Sequence, residues 1–180
     1  MRYLALLRGV NVGGKALIRM ADLKICFEQA GFTNVHTYIN SGNVIFEASG
    51  KSTTALAAEI ETCIKEQLSL SVRVVVIDQP SYAVMMKAAP AGYGEKEGWK
   101  YNVLFLIPPY DIDEIVSDIG ELKPDIESMA MGNGVIFQEL LFTSFGKTTG
   151  GKLASRSSYQ KMTIRNWNTA RKLRSLLEQQ

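Results

Sequence analysis

Two β-rich hairpin patterns at an offset of 91 residues constrain this chain more than any other feature. Val44-Ile45-Phe46 follows the turn cluster Asn40-Ser41-Gly42-Asn43, and Val135-Ile136-Phe137 follows Gly132-Asn133-Gly134. Apolar β-formers behind an Asn- and Gly-rich turn read as the returning strand of a hairpin. Around the first hairpin, Tyr3 to Arg8 predicts a buried strand, and Met20, Leu23, Phe27 and Ala30 predict a helix stopped at Gly31. Val35 to Ile39 supplies the outgoing hairpin strand. Leu56, Ile60, Cys63, Ile64 and Leu68 predict a second helix, and Val72 to Ile77 a fourth strand. The order is βαββαβ, the ferredoxin-like pattern.

A softer stretch with Pro80, Pro90, Gly92, Gly94 and Gly98 follows, carrying a short helix from Tyr82 to Ala89. The pattern then restarts. Tyr101 to Ile107 is a strand, Asp111 and Glu114 have capping-box spacing, and Ile112, Ile115, Val116 and Ile119 give a helix one apolar face. Ile126 to Ala130 leads into the second hairpin. The hairpin offset also carries Met20 onto Asp111, so two elements agree on one register and internal duplication is the economical explanation. The expected architecture is α+β: duplicated ferredoxin-like (βαββαβ) subdomains at 1–78 and 100–180, a connection at 79–99, and a C-terminal amphipathic helix. That helix is expected from Thr163, as N-cap, to about Glu178, with Trp167, Ala170, Leu173 and Leu177 on one side and Arg165, Asn168 and Lys172 roughly opposite. On such a helix Arg165 falls in the first turn, where the dipole disfavours a cation without an anionic partner.

The duplicated register isolates one excess. The first half spends Gly9 to Arg19 on a connection that the second half makes with Pro108-Pro109-Tyr110, and loops longer than the fold requires are more often functional. This loop carries Arg8, Asn11, Lys15 and Arg19 before any acidic residue appears at Asp22. Its glycines suit a turn that aims backbone N–H groups and cations at an anion. In a βαββαβ unit the first and third strands are antiparallel neighbours, so Arg8 and its loop are expected beside Asn40, Ser41 and Asn43.

Charge is divided along the chain. Residues 140–180 hold 8 basic and 1 acidic side chains, a balance of +7, against 12 basic and 17 acidic, −5, over residues 1–139. A solvated helix face and a surface for phosphates or nucleic acid both fit such a basic end.

Several chemistries find no carrier. Gly9 to Ala16 and Gly146 to Leu153 both have G-x-x-x-x-G-K spacing, but Ala16 and Leu153 replace the hydroxyl that ligands magnesium, which argues against a nucleotide hydrolase and leaves anion contact by loop amides. His36 is the single histidine and has no evident partners for nucleophilic catalysis. The acids suggest no metal cage, and no metal is expected. Cys26 and Cys63 fall on the apolar sides of their helices and read as buried reduced thiols. The opening apolar run is too short for a signal-peptide core or a membrane span, so a cytoplasmic home without membrane contact is expected.

Three stretches, Leu6 to Lys15, Tyr38 to Phe46 and Thr163 to Thr169, make the chain resemble a bacterial family catalogued as domain of unknown function family 1697. The resemblance implies two ferredoxin-like subdomains and brings no reaction, cofactor or ligand. The residues themselves lead to an anion-binding module whose partner is a phosphate-bearing small molecule or a nucleic acid. The expected contacts are Arg8, Asn11, Lys15, Asn40, Ser41 and Asn43, with Arg165 and Asn166 added by the tail. An enzyme acting on a small phosphorylated or carboxylated metabolite in the cleft between subdomains, and a protein-interaction scaffold, remain open alternatives. Catalytic residues, cofactor and oligomeric state are not readable from the sequence.

Overall fold

The computed structural model describes residues 1–14 and 16–179. The chain forms two units, Met1–Ala83 with the segment from Leu173 onward, and Val84–Lys172. The first contains strands β1 (Arg2–Leu7), β2 (Thr33–Tyr38), β3 (Asn43–Glu47) and β4 (Val74–Asp78), with helices α1 (Met20–Gln29) and α2 (Thr53–Leu68). Its strands form a four-stranded antiparallel sheet in the order β2-β3-β1-β4. Helix α3 (Gln79–Lys87) spans the Ala83/Val84 division.

The first core follows from helical spacing. Leu23, Cys26 and Phe27 of α1 and Leu56, Ile60, Cys63 and Ile64 of α2 are buried in one cluster with Tyr3, Ala5, Leu7, Val44 and Phe46 of the sheet. Phe46 packs against Phe32 and Phe27 at ring separations of 4.8 and 5.4 Å. Each such ring contributes roughly 1.5–3 kcal/mol by leaving water. Helix α2 begins where Ser52 Oγ accepts the Ala55 N–H at 3.2 Å and ends at Ser69 in the left-handed conformation. α1 ends at Gly31, with φ of 87° and its N–H on the Glu28 carbonyl. Leu4 and Leu6, on the other side of β1, are also buried, which explains why this strand reads as a continuous apolar run rather than an alternating one.

The second unit contains β5 (Trp99–Leu106), α4 (Ile112–Ile119), β6 (Glu127–Gly132), β7 (Val135–Leu141) and β8 (Met162–Asn166), from which α5 (Trp167–Glu178) departs. Its sheet is again four-stranded and antiparallel, in the order β6-β7-β5-β8. Asp111 caps α4, its Oδ1 accepting the N–H groups of Asp113 and Glu114 at 2.9 and 3.1 Å. Between β7 and β8 the chain makes three 3-10 turns, Phe142–Lys147, Gly150–Ser155 and Ser157–Lys161.

One expected boundary is corrected. Thr163 does not cap a helix: Thr163, Ile164 and Arg165 are strand residues paired with Phe105, Leu104 and Val103. β-branched Thr163 and Ile164 favour the extended chain, and the pairing to buried β5 outweighs local helix propensity. The helix starts one turn later, where Asn166 Oδ1 accepts the Thr169 N–H at 2.8 Å.

Candidate functional site

Pairing in the first sheet brings the Arg8 loop and the first hairpin together. Leu6 is opposite Asn43, and the Leu7 N–H donates to the Gly42 carbonyl at 2.8 Å. Gly42 is required by this approach as well as by its φ of 68°: a Cβ there would come within 2.5 Å of Val10 Cγ2 and 2.7 Å of Leu7 Cβ.

Asn11 closes the loop. Its Nδ2 donates to the Ile18 carbonyl at 2.9 Å and to the Asn40 carbonyl at 2.8 Å, while its Oδ1 accepts the Ile18 N–H at 2.8 Å. Asn43 is fully buried, and its Nδ2 donates to the Tyr38 carbonyl and to Ser41 Oγ at 3.0 and 2.9 Å. Both carboxamides therefore build the rim. Arg8 is half-buried at the end of β1, its N–H donating to the Arg73 carbonyl at 2.9 Å, and Asn40 is exposed. Arg19 pairs with Asp22 at 2.7 Å and Arg73 with Glu61 at 3.2 Å. Lys15, expected in this site, lies outside the described residues.

Arg165 and Asn166 belong to the second unit and to β8. Arg165 is buried, and its Nη1 donates to Thr163 Oγ1 at 2.9 Å and to the Ile164 carbonyl at 2.8 Å. The helix-dipole argument for an external anion falls with the helix that carried it. Asn166 is exposed and caps α5.

The amides of the second glycine-lysine motif are occupied by a carboxylate of the chain itself, Glu127, a partner that sequence reasoning missed. Glu127 is buried, and its Oε1 accepts the N–H groups of Thr149 and Lys123 at 2.9 and 3.2 Å while Oε2 accepts that of Gly150 at 3.0 Å. Burial alone would push this carboxyl up, but the backbone donors of Thr149, Gly150 and Lys123 outweigh it and hold it below the usual glutamate value. The signal available was Glu127 at the start of a predicted strand, with nothing in its spacing to link it to residues 149 and 150.

Cys26 and Cys63 are buried free thiols in hydrogen-bond contact, 2.6 Å apart. Burial first, and the contact with Cys63 second, push the Cys26 thiol up to about 12, so it is a poor nucleophile. Among the described residues no cluster of His, Cys, Asp and Glu is placed to hold a metal ion, and no helix is long and apolar enough to cross a membrane.

A further cavity of about 590 Å³ lies in the second unit, between Gly94–Asn102 and the β8–α5 junction at Asn166–Asn168. Tyr93 stands behind it, its single hydroxyl proton shared between the carbonyls of Asn102 and Gln138, whose oxygens lie 2.7 and 2.9 Å away. Burial drives this phenol well above its ordinary value, so it stays protonated.

Across 98% of both chains the protein is similar to a solved structure of conserved bacterial protein SP0830 from Streptococcus pneumoniae, with a TM-score of 0.86 and 29% identity. No curated protein matches the chain. The model of the family described as protein of unknown function (DUF1697) matches residues 1–137, more than half of the chain, and the chain belongs to that family.

Proposed function

We propose that the chain is a binding module for a phosphate-bearing ligand, nucleotide or nucleic acid, held at the rim formed by the Gly9–Arg19 loop and the first hairpin. The observation that carries this reading is the Asn11 clamp, whose three hydrogen bonds set the loop against the Asn40 carbonyl without help from a ligand. Preset donors lose less entropy on binding than a loop that must first order itself. Gly13 and Gly14 have φ of 59° and 73°, the left-handed region that glycine enters without a Cβ penalty. In this reading Arg8, Lys15, Asn40 and Ser41 contact the ligand, and Asn11 and Asn43 are positioning residues. Arg165, with its guanidinium on Thr163 and Ile164, is left out of the contact set.

We also read the two sheets, β1 to β4 and β5 to β8, as a duplicated ferredoxin-like arrangement in a cytoplasmic bacterial protein, with the expected bounds of 1–78 and 100–180 altered in that the segment from Leu173 goes with the first unit. Matching strand orders support this, as does the equivalent setting of two central leucines. Leu4 lies between Ile45 and Ile77, and Leu104 between Ile136 and Ile164. Buried free thiols agree with a reducing compartment.

The test is titration of the full chain with pyrophosphate, ATP and a short single-stranded oligonucleotide, followed by thermal shift. Arg8→Ala with Lys15→Ala is expected to weaken the bound probe about tenfold or more, with unfolding of the unbound protein little changed. An oligonucleotide should also lose affinity steeply between about 50 and 200 mM salt, whereas ATP should lose much less. Equal affinity in wild type and the double variant for every probe would discard the reading.

A further inference from the structure

Both tryptophans of the chain, Trp99 and Trp167, line the cavity between Gly94–Asn102 and Asn166–Asn168. The cavity arises from a mismatch in strand length. β7 pairs with β5 from Trp99 to Phe105, but β8 pairs only from Asn102 to Leu106 before the chain turns away into α5. Trp99, Lys100 and Tyr101 therefore have a strand partner on one side only. Gly98 accepts from Phe142 on the β7 side, so alternation turns the N–H and C=O of Trp99 toward the side that β8 has left.

The walls of this gap are fixed. A Cβ on Gly94 would lie 2.4 Å from Trp167 Cδ1 and Nε1, so only glycine lets the indole stand against the loop. Tyr93 meets Trp167 edge-on at 5.0 Å and 89°. The Lys96 N–H donates to the Tyr101 hydroxyl at 2.8 Å, and the Lys96 ammonium sits 5.0 Å from the Trp99 ring and 3.1 Å from Glu139. Polar capacity remains on the opposite rim. Asn166 uses Oδ1 for the α5 cap, and among the described residues neither its Nδ2 nor the Asn168 carboxamide has a hydrogen-bond partner.

A strand edge, two indoles and two exposed carboxamides line one gap, apolar rings beside amide donors and acceptors. We propose that this gap is a binding site for a planar heteroaromatic ring with an amide-like edge, the chemistry of a nucleobase, taken up as a nucleoside. Its volume of about 590 Å³ lies within the roughly 300–1,000 Å³ of small-molecule sites. Stacking on an indole supplies affinity with little base preference, and the carboxamides and strand edge supply orientation. Lys96 is neutralised by Glu139, and Glu95 and Glu97 share the loop side of the rim, which disfavours an isolated anion there. The site is independent of the loop reading above, since all of its residues lie in the second unit.

Because the only two indoles flank the gap, intrinsic fluorescence reports on it directly. The full chain is titrated with adenosine, guanosine, cytidine and uridine, with ribose and inorganic phosphate as controls. At least one nucleoside is expected to change the emission saturably, while neither control does so. Asn168→Ala should weaken that nucleoside about fivefold or more without moving the melting temperature, and Arg8→Ala should leave it unchanged. Trp99→Phe, checked for folding by circular dichroism, should reduce both signal and affinity. Absence of saturable change with all four nucleosides to about 10 mM, reproduction of the change by phosphate or ribose, or unaltered affinity in Asn168→Ala would overturn the proposal.

Discussion

At the scale of single residues, glycines divide into those that a side chain could replace and those that it could not. A Cβ on Gly151 would lie 1.9 Å from the Phe145 carbonyl oxygen, whereas one on Gly146 would meet nothing within 4 Å. Gly151→Ala is therefore expected to destabilise by about 3 kcal/mol or more, and Gly146→Ala to stay within about 0.5 kcal/mol, measured by urea unfolding. Similar losses in both variants would contradict the close approach. Sequence alone marks both as glycines of one G-x-x-x-x-G-K-like run and cannot rank them. It did indicate that Arg8 and Asn40 share a rim, because β-topology places strand ends. It could not indicate that the Asn11 and Asn43 carboxamides are committed to neighbouring carbonyls, since side-chain pairing depends on loop geometry that residue type leaves open.

At the scale of elements, the 3-10 segment after β7 is fastened by a carboxylate rather than by an apolar helix face. The Glu127 carboxyl is held below its unfolded value of about 4.3. Its contribution is thus complete above that pH and is lost as pH falls through the lower folded value. Wild type should exceed Glu127→Gln in stability by about 2 kcal/mol at pH 7, with the gap narrowing well below pH 4. Parallel stability curves from pH 7 into the acid range would show that Glu127 carries no such linkage. Periodicity found α1, α2 and α4 because each buries residues three and four apart. It misassigned Thr163 to Arg165 because a five-residue strand leading directly into a helix leaves no turn residue to mark the change. The strand is specified by its partner β5, which lies far away in sequence.

For the whole molecule, the two hairpins were the most legible property, and each lies in one of the two four-stranded antiparallel sheets. Which stretch joins which unit was not legible, because an amphipathic helix does not declare what it packs on. Leu173 and Leu177 are buried and belong with residues 1–83, and the Arg2 guanidinium donates to the Leu177 carbonyl at 3.2 Å. Burying the two leucines is worth about 3–6 kcal/mol. Stopping the chain after Lys172 should accordingly raise hydrogen exchange across β1 to β4, and unchanged protection there would contradict the assignment. Residues 1–83 leave the ribosome before the segment from Leu173 that completes their unit, whereas Val84–Lys172 is one unbroken stretch that translation supplies without interruption.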